Sequence, residues 1–198
     1  MPNTTPSLPT APVHGLGEAS DWIQRWSHLV RPAGRVLDLA CGHGRHMRWF
    51  AQQGHVVTGV DRSADAIQAV AGLGEAVLAD IENGPWPLIQ ANEVRQFDAV
   101  VVTNYLWRPL FERISDSLAP GGILIYETFA SGNETVGKPS RPDFLLQPSE
   151  LLNAFAHLNI IAFEQGFLAD PPRFIQRLVA SSPGEPGSTG QIPARYTL

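Results

Sequence analysis

Two glycines and two acidic residues occupy positions where they could bind a nucleoside. Gly42 and Gly44 follow a short apolar run, and glycines there permit a tight turn that a ligand can approach without obstruction by a Cβ atom. Asp61 ends the next apolar run, about 20 residues further on, where a carboxylate can accept both hydroxyls of a ribose. Asp80 ends a third run and could accept from an adenine amino group. These residue types and their spacing favour a ligand that contains adenosine.

Each of these residues also has a purely structural alternative. Many strand-to-helix turns need glycine for geometry alone, Asp61 could cap the helix that begins near Ser63, and Asp80 could form a turn. However, Ser63 can cap that helix itself. Three successive runs that each end in a glycine turn or an acid are also hard to explain by local structure. We therefore prefer the ligand-binding interpretation.

Two missing patterns narrow the kind of adenosine ligand. The dinucleotide fingerprint G-x-G-x-x-G would need glycine where this chain has Met47, and no Gly-Lys-Ser/Thr is present to form a P-loop. An adenosine joined by a short uncharged linker to an amino acid fits better, and Asp38 offers an acceptor near the amino-acid end. A nucleotide-dependent oxidoreductase is the alternative class of enzyme.

An α/β sheet is the framework that would bring these residues together. The sequence predicts strands at 35–39, 55–60, 76–79, 97–103, 123–129, 159–166 and 174–180, and helices at 18–29, 45–53, 63–71, 107–118 and 149–157. The first five strands are apolar through consecutive positions, which indicates a parallel sheet covered by helices on both faces. The last two are joined by 167–173, which leaves no room for a helix and favours an antiparallel hairpin at the sheet edge. We expect a Rossmann-like, doubly wound α/β fold with a seven-stranded, mostly parallel sheet.

The composition predicts one domain. The chain has 198 residues, of which 43% are hydrophobic and 17% charged. We divide it into a flexible N-terminal segment 1–16, a domain 17–182 and a loose C-terminal tail 183–198. The net charge of −5 argues against a nucleic-acid partner. With one cysteine, no membrane-spanning run, no secretory signal and no metal-site pattern, we expect a cytoplasmic monomer or homodimer.

Five segments resemble motifs of the class I S-adenosylmethionine-dependent methyltransferases. They are 36–45, similar to motif I, 57–61, similar to the ribose-binding motif, 77–81, similar to the adenine-binding motif, 97–102, similar to motif IV, and 118–125, similar to the post-motif segment. The similarity covers 18–181, and the pattern is most similar to small tellurite-resistance-type enzymes and bacterial relatives without assigned substrates. It implies the strand order 3-2-1-4-5-7-6 with strand seven antiparallel. It also implies S-adenosyl-L-methionine as cofactor and S-adenosyl-L-homocysteine as product.

This resemblance implies a cofactor site at the strand ends and an acceptor site past the fourth strand. The expected cofactor-binding residues are Asp38, Ala40, Cys41, Gly42, Gly44, His46, Asp61, Arg62, Asp80, Ile81 and Thr103. Asn104 and Tyr105 are the candidates for contact with the acceptor or the cofactor, and Glu127 is a candidate base that could instead pair with an arginine. The reaction would be an in-line displacement at a sulfonium carbon, in which positioning supplies much of the rate. A non-catalytic module that binds the same cofactor is a further alternative.

The connection 130–147 is long for a loop inside a compact domain, which is typical of functional loops. We predict a lid over the acceptor pocket, with Lys138 and Arg141 available to an anionic substrate, and a solvated surface loop is the alternative. The acceptor is expected to be a small molecule. Enzymes that methylate amino groups of DNA or protein often carry Asn/Asp-Pro-Pro-Tyr/Phe after the fourth strand, and this chain lacks it.

Overall fold

A computed structural model describes residues 17–184 and 196–197. The predicted segment 1–16 lies outside the described residues, as does the predicted tail apart from 183–184 and 196–197. The strands are β1 (Arg35–Leu39), β2 (Val56–Asp61), β3 (Glu75–Leu78), β4 (Ile89–Gln90), β5 (Glu93–Val94), β6 (Phe97–Thr103), β7 (Leu118–Phe129), β8 (Asn159–Ala169) and β9 (Pro172–Ser181). Seven of them form one sheet, and the short β4 and β5 pair with each other.

The order of the main sheet is β3-β2-β1-β6-β7-β9-β8. Strand β1 pairs in parallel with both β2 and β6, β6 pairs in parallel with β7, and β9 runs antiparallel to β7 and β8. When β4 and β5 are set aside, this is the strand order implied by the resemblance, and the predicted fold class is confirmed. The chain builds outward from β1 in one direction and then returns to its other side with β6, which opens a crevice at the carboxyl ends of these two strands.

The edge hairpin is longer than the sequence predicts. Strands β8 and β9 continue to a two-residue turn at Asp170 and Pro171, so the predicted connection 167–173 is wrong and most of it is strand. The added register pairs include Phe167 with Phe174, whose ring centroids lie 5.0 Å apart. Cross-strand aromatic pairs of this kind stabilise a hairpin, and they extend the ladder past the predicted boundary.

The helices are shorter than predicted. They are α1 (Asp21–Trp26), α2 (Arg45–Gln52), α3 (Ala64–Val70), α4 (Phe111–Asp116) and α5 (Glu150–Ala154), with 3₁₀ turns at Ser27–Leu29, Arg108–Leu110, Asn133–Thr135 and Pro142–Phe144. The predicted helix 107–118 begins instead as a 3₁₀ turn that contains Pro109, and it ends early because Leu118 pairs with Phe97 in the sheet. The predicted helix 149–157 begins one residue later because Ser149 has a left-handed φ of 59°.

Both faces of the central strands β1 and β6 are buried, as their consecutive apolar residues predict, whereas the edge strand β3 is only half-buried to exposed. On β6, Val100 and Val102 belong to the cluster that contains Tyr126, whereas Ala99 and Val101 belong to the cluster that contains Trp26. None of the helices in the described part of the chain is long and apolar enough to cross a lipid bilayer. The central parallel strands are therefore held firmly from both sides, and their carboxyl ends form a fixed edge on which a site can be built.

Candidate functional site

The turn after β1 is a cradle of left-handed backbone. Ala40, Gly42 and Gly44 have φ values of 52°, 52° and 76°, and the N–H of Cys41 donates to the carbonyl of Val60 at 3.1 Å. A Cβ atom on Gly44 would lie 2.4 Å from Cγ1 of Val70, so this position must be glycine for α2 to approach α3. The turn therefore exposes its backbone to the crevice with little side-chain cover.

Met47 occupies the place of the missing third glycine, and its side chain fills a groove on the next strand. It is fully buried, and a Cβ atom on Gly59 of β2 would lie 2.3 Å from its sulfur and 2.9 Å from Sγ of Cys41. In the dinucleotide fingerprint the third glycine is on the helix and permits close helix–strand packing. In this chain the large residue is on the helix and the glycine is on the strand.

Asp61 links the end of β2 to the glycine turn. Its Oδ2 accepts from the N–H of Gly42 at 2.8 Å, and its Oδ1 accepts from the N–H of Ser63 at 2.9 Å. Ser63 is the N-cap of α3, because its hydroxyl accepts from the N–H of Ala66 at 3.3 Å. The cap is thus supplied by Ser63, and the Asp61 carboxylate stays on the wall of the crevice.

Asp80 forms the turn that follows β3. Its Oδ1 accepts from the N–H groups of Glu82 and Asn83 at 3.0 and 3.2 Å, and its Oδ2 accepts from Nδ2 of Asn83 at 3.0 Å. The bond from the Asn83 side chain, followed by the two backbone bonds, holds the pKa of Asp80 below its ordinary value. An ionised Asp80 and the neighbouring Ile81 both line the crevice.

Asp38 and His46 lie behind the glycine turn and are buried. Burial raises the pKa of Asp38 to about 7, an effect that the positive charge of Arg45 opposes, and its Oδ2 has no hydrogen-bond partner among the described residues. Burial lowers the pKa of His46 to about 3, so its ring is neutral. Nε2 of His46 accepts from the N–H of Ser20 at 3.3 Å, which assigns the proton to Nδ1, 3.3 Å from the Thr103 hydroxyl. The imidazole thus joins the start of α1 to the end of β6.

Two cavities of about 440 and 620 Å³ meet at the carboxyl edge of the sheet. The walls common to both are Ala40, Asp61, Arg62, Asn104 and Tyr105. The smaller cavity adds Ala79, Asp80, Ile81, Glu82, Leu106, Thr128, Phe129, Lys138, Pro139 and Phe144. The larger adds Cys41, Gly42, His43, Arg45, His46, Ser63, Ala66 and Thr103. Of the expected cofactor-binding residues, all but Asp38 and Gly44 line this combined space.

The candidate catalytic residues divide between the cavity and the interior. Asn104 has a left-handed φ of 53° and is exposed, and Tyr105 lines the same walls. The Tyr105 hydroxyl is buried without an aligned hydrogen-bond partner among the described residues. Burial and the nearby charge of Glu82 raise its pKa. Tyr105 therefore faces the same end of the crevice as Asp80.

Glu127 is fully buried and does not line either cavity. Nε of Arg177 lies 2.7 Å from its Oε2 and Nη2 of Arg173 lies 3.9 Å from its Oε1, although neither carboxylate oxygen accepts a well-aligned hydrogen bond. Of the two roles considered for this residue, the structure shows the arginine pairing. The neighbouring residue Thr128 points to the opposite face of the sheet and lines the smaller cavity.

The loop 130–147 is anchored near both ends. Arg108 donates to the carbonyls of Asp143 and Leu145 at 2.8 and 3.0 Å while it pairs with the Glu150 carboxylate. The buried side chain of Asn133 donates to the carbonyl of Pro139 at 2.9 Å. These anchors hold part of the loop against the cavity, where Lys138, Pro139 and Phe144 form its outer wall. Sequence reasoning missed Arg108, whose position in a short turn after β6 carries no recognisable pattern.

Comparison with known proteins agrees with this geometry. Residues 14–161 match the profile of a family described as a methyltransferase domain. A protein from Geobacillus sp. (strain WCH70) with a provisional methyltransferase name is 30% identical over 108 residues, which are 50% of this chain and 44% of that protein. The chain thus spans less than half the length of this curated relative. The family profile covers more than half of the chain, which therefore belongs to this methyltransferase family.

Solved structures share the fold. TehB from Haemophilus influenzae superposes with a TM-score of 0.66 at 18% identity, over 82% of this chain and 61% of that one. A SAM-dependent methyltransferase from Methanosarcina mazei gives a TM-score of 0.60 at 17% identity, over 85% of this chain and all of that one. The family profile confirms the predicted resemblance to methyltransferases, and the likeness to these structures confirms the predicted fold.

Proposed function

We propose that this protein transfers a methyl group from S-adenosyl-L-methionine to a small-molecule acceptor. The observation that supports this most directly is the continuous crevice, which runs past the ends of β1, β2, β3 and β6 and meets the glycine turn, Asp61 and Asp80 in succession. Those groups match the three parts of the cofactor in order: amino acid, ribose and adenine. The family match supports the same activity.

The chain's own residues fit this cofactor. Asp61 would accept hydrogen bonds from the ribose hydroxyls, and Asp80 with the N–H of Ile81 would bind the adenine edge. Tyr105 would cover the adenine ring by stacking. The left-handed turn at 40–44 would receive the amino-acid end, close to Asp38 and Arg45. When bound, the cofactor supplies a methyl group on a positively charged sulfur, and its transfer leaves S-adenosyl-L-homocysteine.

The residues past β6 would position the acceptor. Asn104 stands at the junction of the two cavities, where its amide can donate to or accept from a ligand. His46 is neutral with both ring nitrogens engaged, so it would hold the wall in place and leave proton transfer to other groups. Glu127 would act by positioning Arg173 and Arg177. Catalysis would rest mainly on alignment of the acceptor with the sulfonium carbon.

Calorimetry with S-adenosyl-L-homocysteine tests cofactor binding. We expect heat from this ligand and none from NADH, because the helix that follows the glycine turn carries Met47 where a dinucleotide site has glycine. Binding of NADH without binding of S-adenosyl-L-homocysteine would favour the oxidoreductase alternative. Both ligands should be measured at the same protein concentration and pH.

Turnover separates an enzyme from a module that only binds the cofactor. The full chain, incubated with methyl-labelled cofactor and a pool of small metabolites, should transfer label to at least one component. Cofactor binding with no transfer to any component would favour the non-catalytic alternative. A cytoplasmic location and the choice of a small molecule over nucleic acid belong to the same proposal. The net charge of −5 supports the small molecule over nucleic acid.

A further inference from the structure

The part of the smaller cavity beyond Asn104 has a wall of distinct chemistry. We call it the outer chamber, and its lining residues are Leu106, Thr128, Phe129, Lys138, Pro139 and Phe144. The acidic residues of this cavity, Asp61, Asp80 and Glu82, all lie at the other end, where the strands β2 and β3 finish. Among the lining residues of the outer chamber, Lys138 alone carries a charge.

Lys138 has no counter-ion among the described residues. It is exposed, and no ion pair or hydrogen bond from its side chain is present in 17–184 or 196–197. The other cation of the loop differs in this respect, because Nη2 of Arg141 lies 2.7 Å from Oδ2 of Asp143 and its guanidinium stacks 5.2 Å from the centre of the Phe144 ring. Of the two cations predicted to serve an anionic substrate, the structure leaves Lys138 available at the cavity and commits Arg141 to its own loop.

Phe144 gives the outer chamber an apolar surface that is held in place. Its ring is 38% exposed although Arg141 covers one face, and the carbonyls on either side of it, those of Asp143 and Leu145, accept from Arg108. Phe129 and Pro139 continue the same apolar wall. Exposed apolar surface that lines a cavity is a common feature of ligand sites, because a bound apolar group removes it from water.

We propose that the methyl acceptor is an anion with a flat apolar body, bound in the outer chamber with its body against Phe129 and Phe144 and its anionic group paired with Lys138. The Thr128 hydroxyl and the Asn104 amide would orient the rest of the molecule toward the cofactor. This inference rests on the proposed function, since it names the substrate class of that same site. An acceptor with a positive charge would be disfavoured in the outer chamber because it would face Lys138 without a compensating acid.

Binding of matched acid and amide ligands tests the inference. The full chain is loaded with S-adenosyl-L-homocysteine, and the dissociation constants of naphthoate and naphthamide, and of benzoate and benzamide, are measured by calorimetry. We expect each acid to bind more tightly than its amide by about fivefold, as for one partly exposed ion pair. The Lys138→Met variant should bind acid and amide equally, and the Lys138→Arg variant should keep the preference for the acid.

Two further variants distinguish the effect of the Lys138 charge from that of the apolar wall. Phe144→Ala should weaken binding of the acid and of the amide by the same factor, so the ratio of their dissociation constants stays unchanged. Arg141→Met is the matched control for loss of a loop cation, and it should also leave the ratio unchanged because Arg141 already pairs with Asp143. Equal binding of acid and amide by the wild type overturns the inference. So does a ratio that survives Lys138→Met, or no binding of any of the four ligands at millimolar concentration.

Failure of the proposed function would give a different result. If S-adenosyl-L-homocysteine itself does not bind, the cofactor site is wrong and the inference falls with it. If it binds and the acids show no preference, only the substrate class is wrong. Loading of the protein is therefore verified for every variant before the four ligands are compared.

Discussion

At the scale of single residues, Asp61 is a carboxylate that stabilises a turn of the fold and is also proposed to bind the ligand. It holds the glycine turn through the N–H of Gly42 and at the same time lines both cavities. We expect Asp61→Ala to weaken binding of S-adenosyl-L-homocysteine by about 1–3 kcal/mol, from the loss of charge-assisted hydrogen bonds to ribose. Calorimetry measures the change, and circular dichroism verifies that the variant is folded. Asp65→Ala, in the first turn of α3, is a control that should bind normally. An unchanged dissociation constant in folded Asp61→Ala would contradict the assignment.

Asp38 makes the stability of the ligand-free protein depend on pH. Its pKa is raised to about 7 by burial, so the folded state favours the protonated carboxyl. The stability that this preference contributes is complete below the unfolded pKa of about 4 and is lost as the pH rises through about 7. The Asp38→Asn variant should therefore gain stability relative to the wild type between about pH 5 and about pH 8.

Urea unfolding of the two proteins at both pH values measures this gain. The comparison removes the contribution of His46, whose lowered pKa acts in the opposite direction and destabilises the fold as the pH falls below about 6.5. The upper limit of the effect is about 1.4 kcal/mol for each pH unit over which Asp38 is ionised in the unfolded chain and still protonated in the fold. A constant difference between the wild type and Asp38→Asn would show that the buried carboxyl does not titrate in this range.

The position of a site residue could be predicted where it follows the end of a strand. It was harder to predict where it depends on which face of the sheet the side chain occupies. The glycine turn, Asp61 and Asp80 follow strand ends, and parallel strands bring those ends to one edge whatever their side chains do. Glu127 also precedes a strand end, but alternation along β7 turns it toward Arg177, while Thr128 faces the cavity. A shift of one residue in the expected register is enough to exchange these two roles.

At the scale of elements, the packing of α2 on β2 depends on a complementary pair. The Met47 side chain fills the groove at Gly59, so a methyl group added to Gly59 would displace it or Cys41. We expect Gly59→Ala to destabilise the fold by about 1–3 kcal/mol through overpacking and Met47→Ala by about 2–5 kcal/mol through a cavity. The double variant should be more stable than the sum of the two losses, by about 0.5–3 kcal/mol.

Chemical denaturation of the wild type and the three variants gives the coupling free energy of this pair directly. Additive losses would show that the two residues do not share the space between them. The comparison pair is Gly59→Ala combined with Val36→Ala on β1. Val36 is buried in the same apolar cluster as Met47.

The elements themselves were predictable in kind but not in length. Consecutive apolar residues predicted the five parallel strands, because such runs are typical of strands buried on both faces. The element boundaries depend on contacts between residues that are not neighbours in the sequence. Leu118 is in a strand because it pairs with Phe97, and Phe167 is in β8 because it pairs with Phe174. The short β4–β5 pair was not predicted for the same reason, since two residues on each strand give no periodic pattern.

At the scale of the whole molecule, the crevice is built from elements distributed along the chain, from the turn at 40–44 to Phe144 in the loop. A ligand that binds there contacts only the folded state, so it must raise the free energy of unfolding. At a concentration one hundred times its dissociation constant, S-adenosyl-L-homocysteine should stabilise the protein by about 2.7 kcal/mol. Denaturation with and without the ligand measures this increase.

The Asp61→Ala variant provides the control for that measurement. At the same ligand concentration its stabilisation should be smaller, because weaker binding reduces the ligand's contribution. Equal stabilisation of the wild type and Asp61→Ala would place the ligand elsewhere on the molecule. NADH at matched concentration should leave the unfolding transition of the wild type unchanged.

The dinucleotide fingerprint places glycine on the helix, whereas this chain has Met47 on the helix and Gly59 on the facing strand. More than one mutation therefore separates the two arrangements. Replacing Met47 with glycine would restore the fingerprint in the sequence but leave an empty space beside β2, because the strand carries glycine at the facing position. A second change that adds volume at Gly59 would be needed, and made first it would collide with the methionine sulfur. Either order passes through a less stable form, which would hinder drift between the two cofactor classes during evolution.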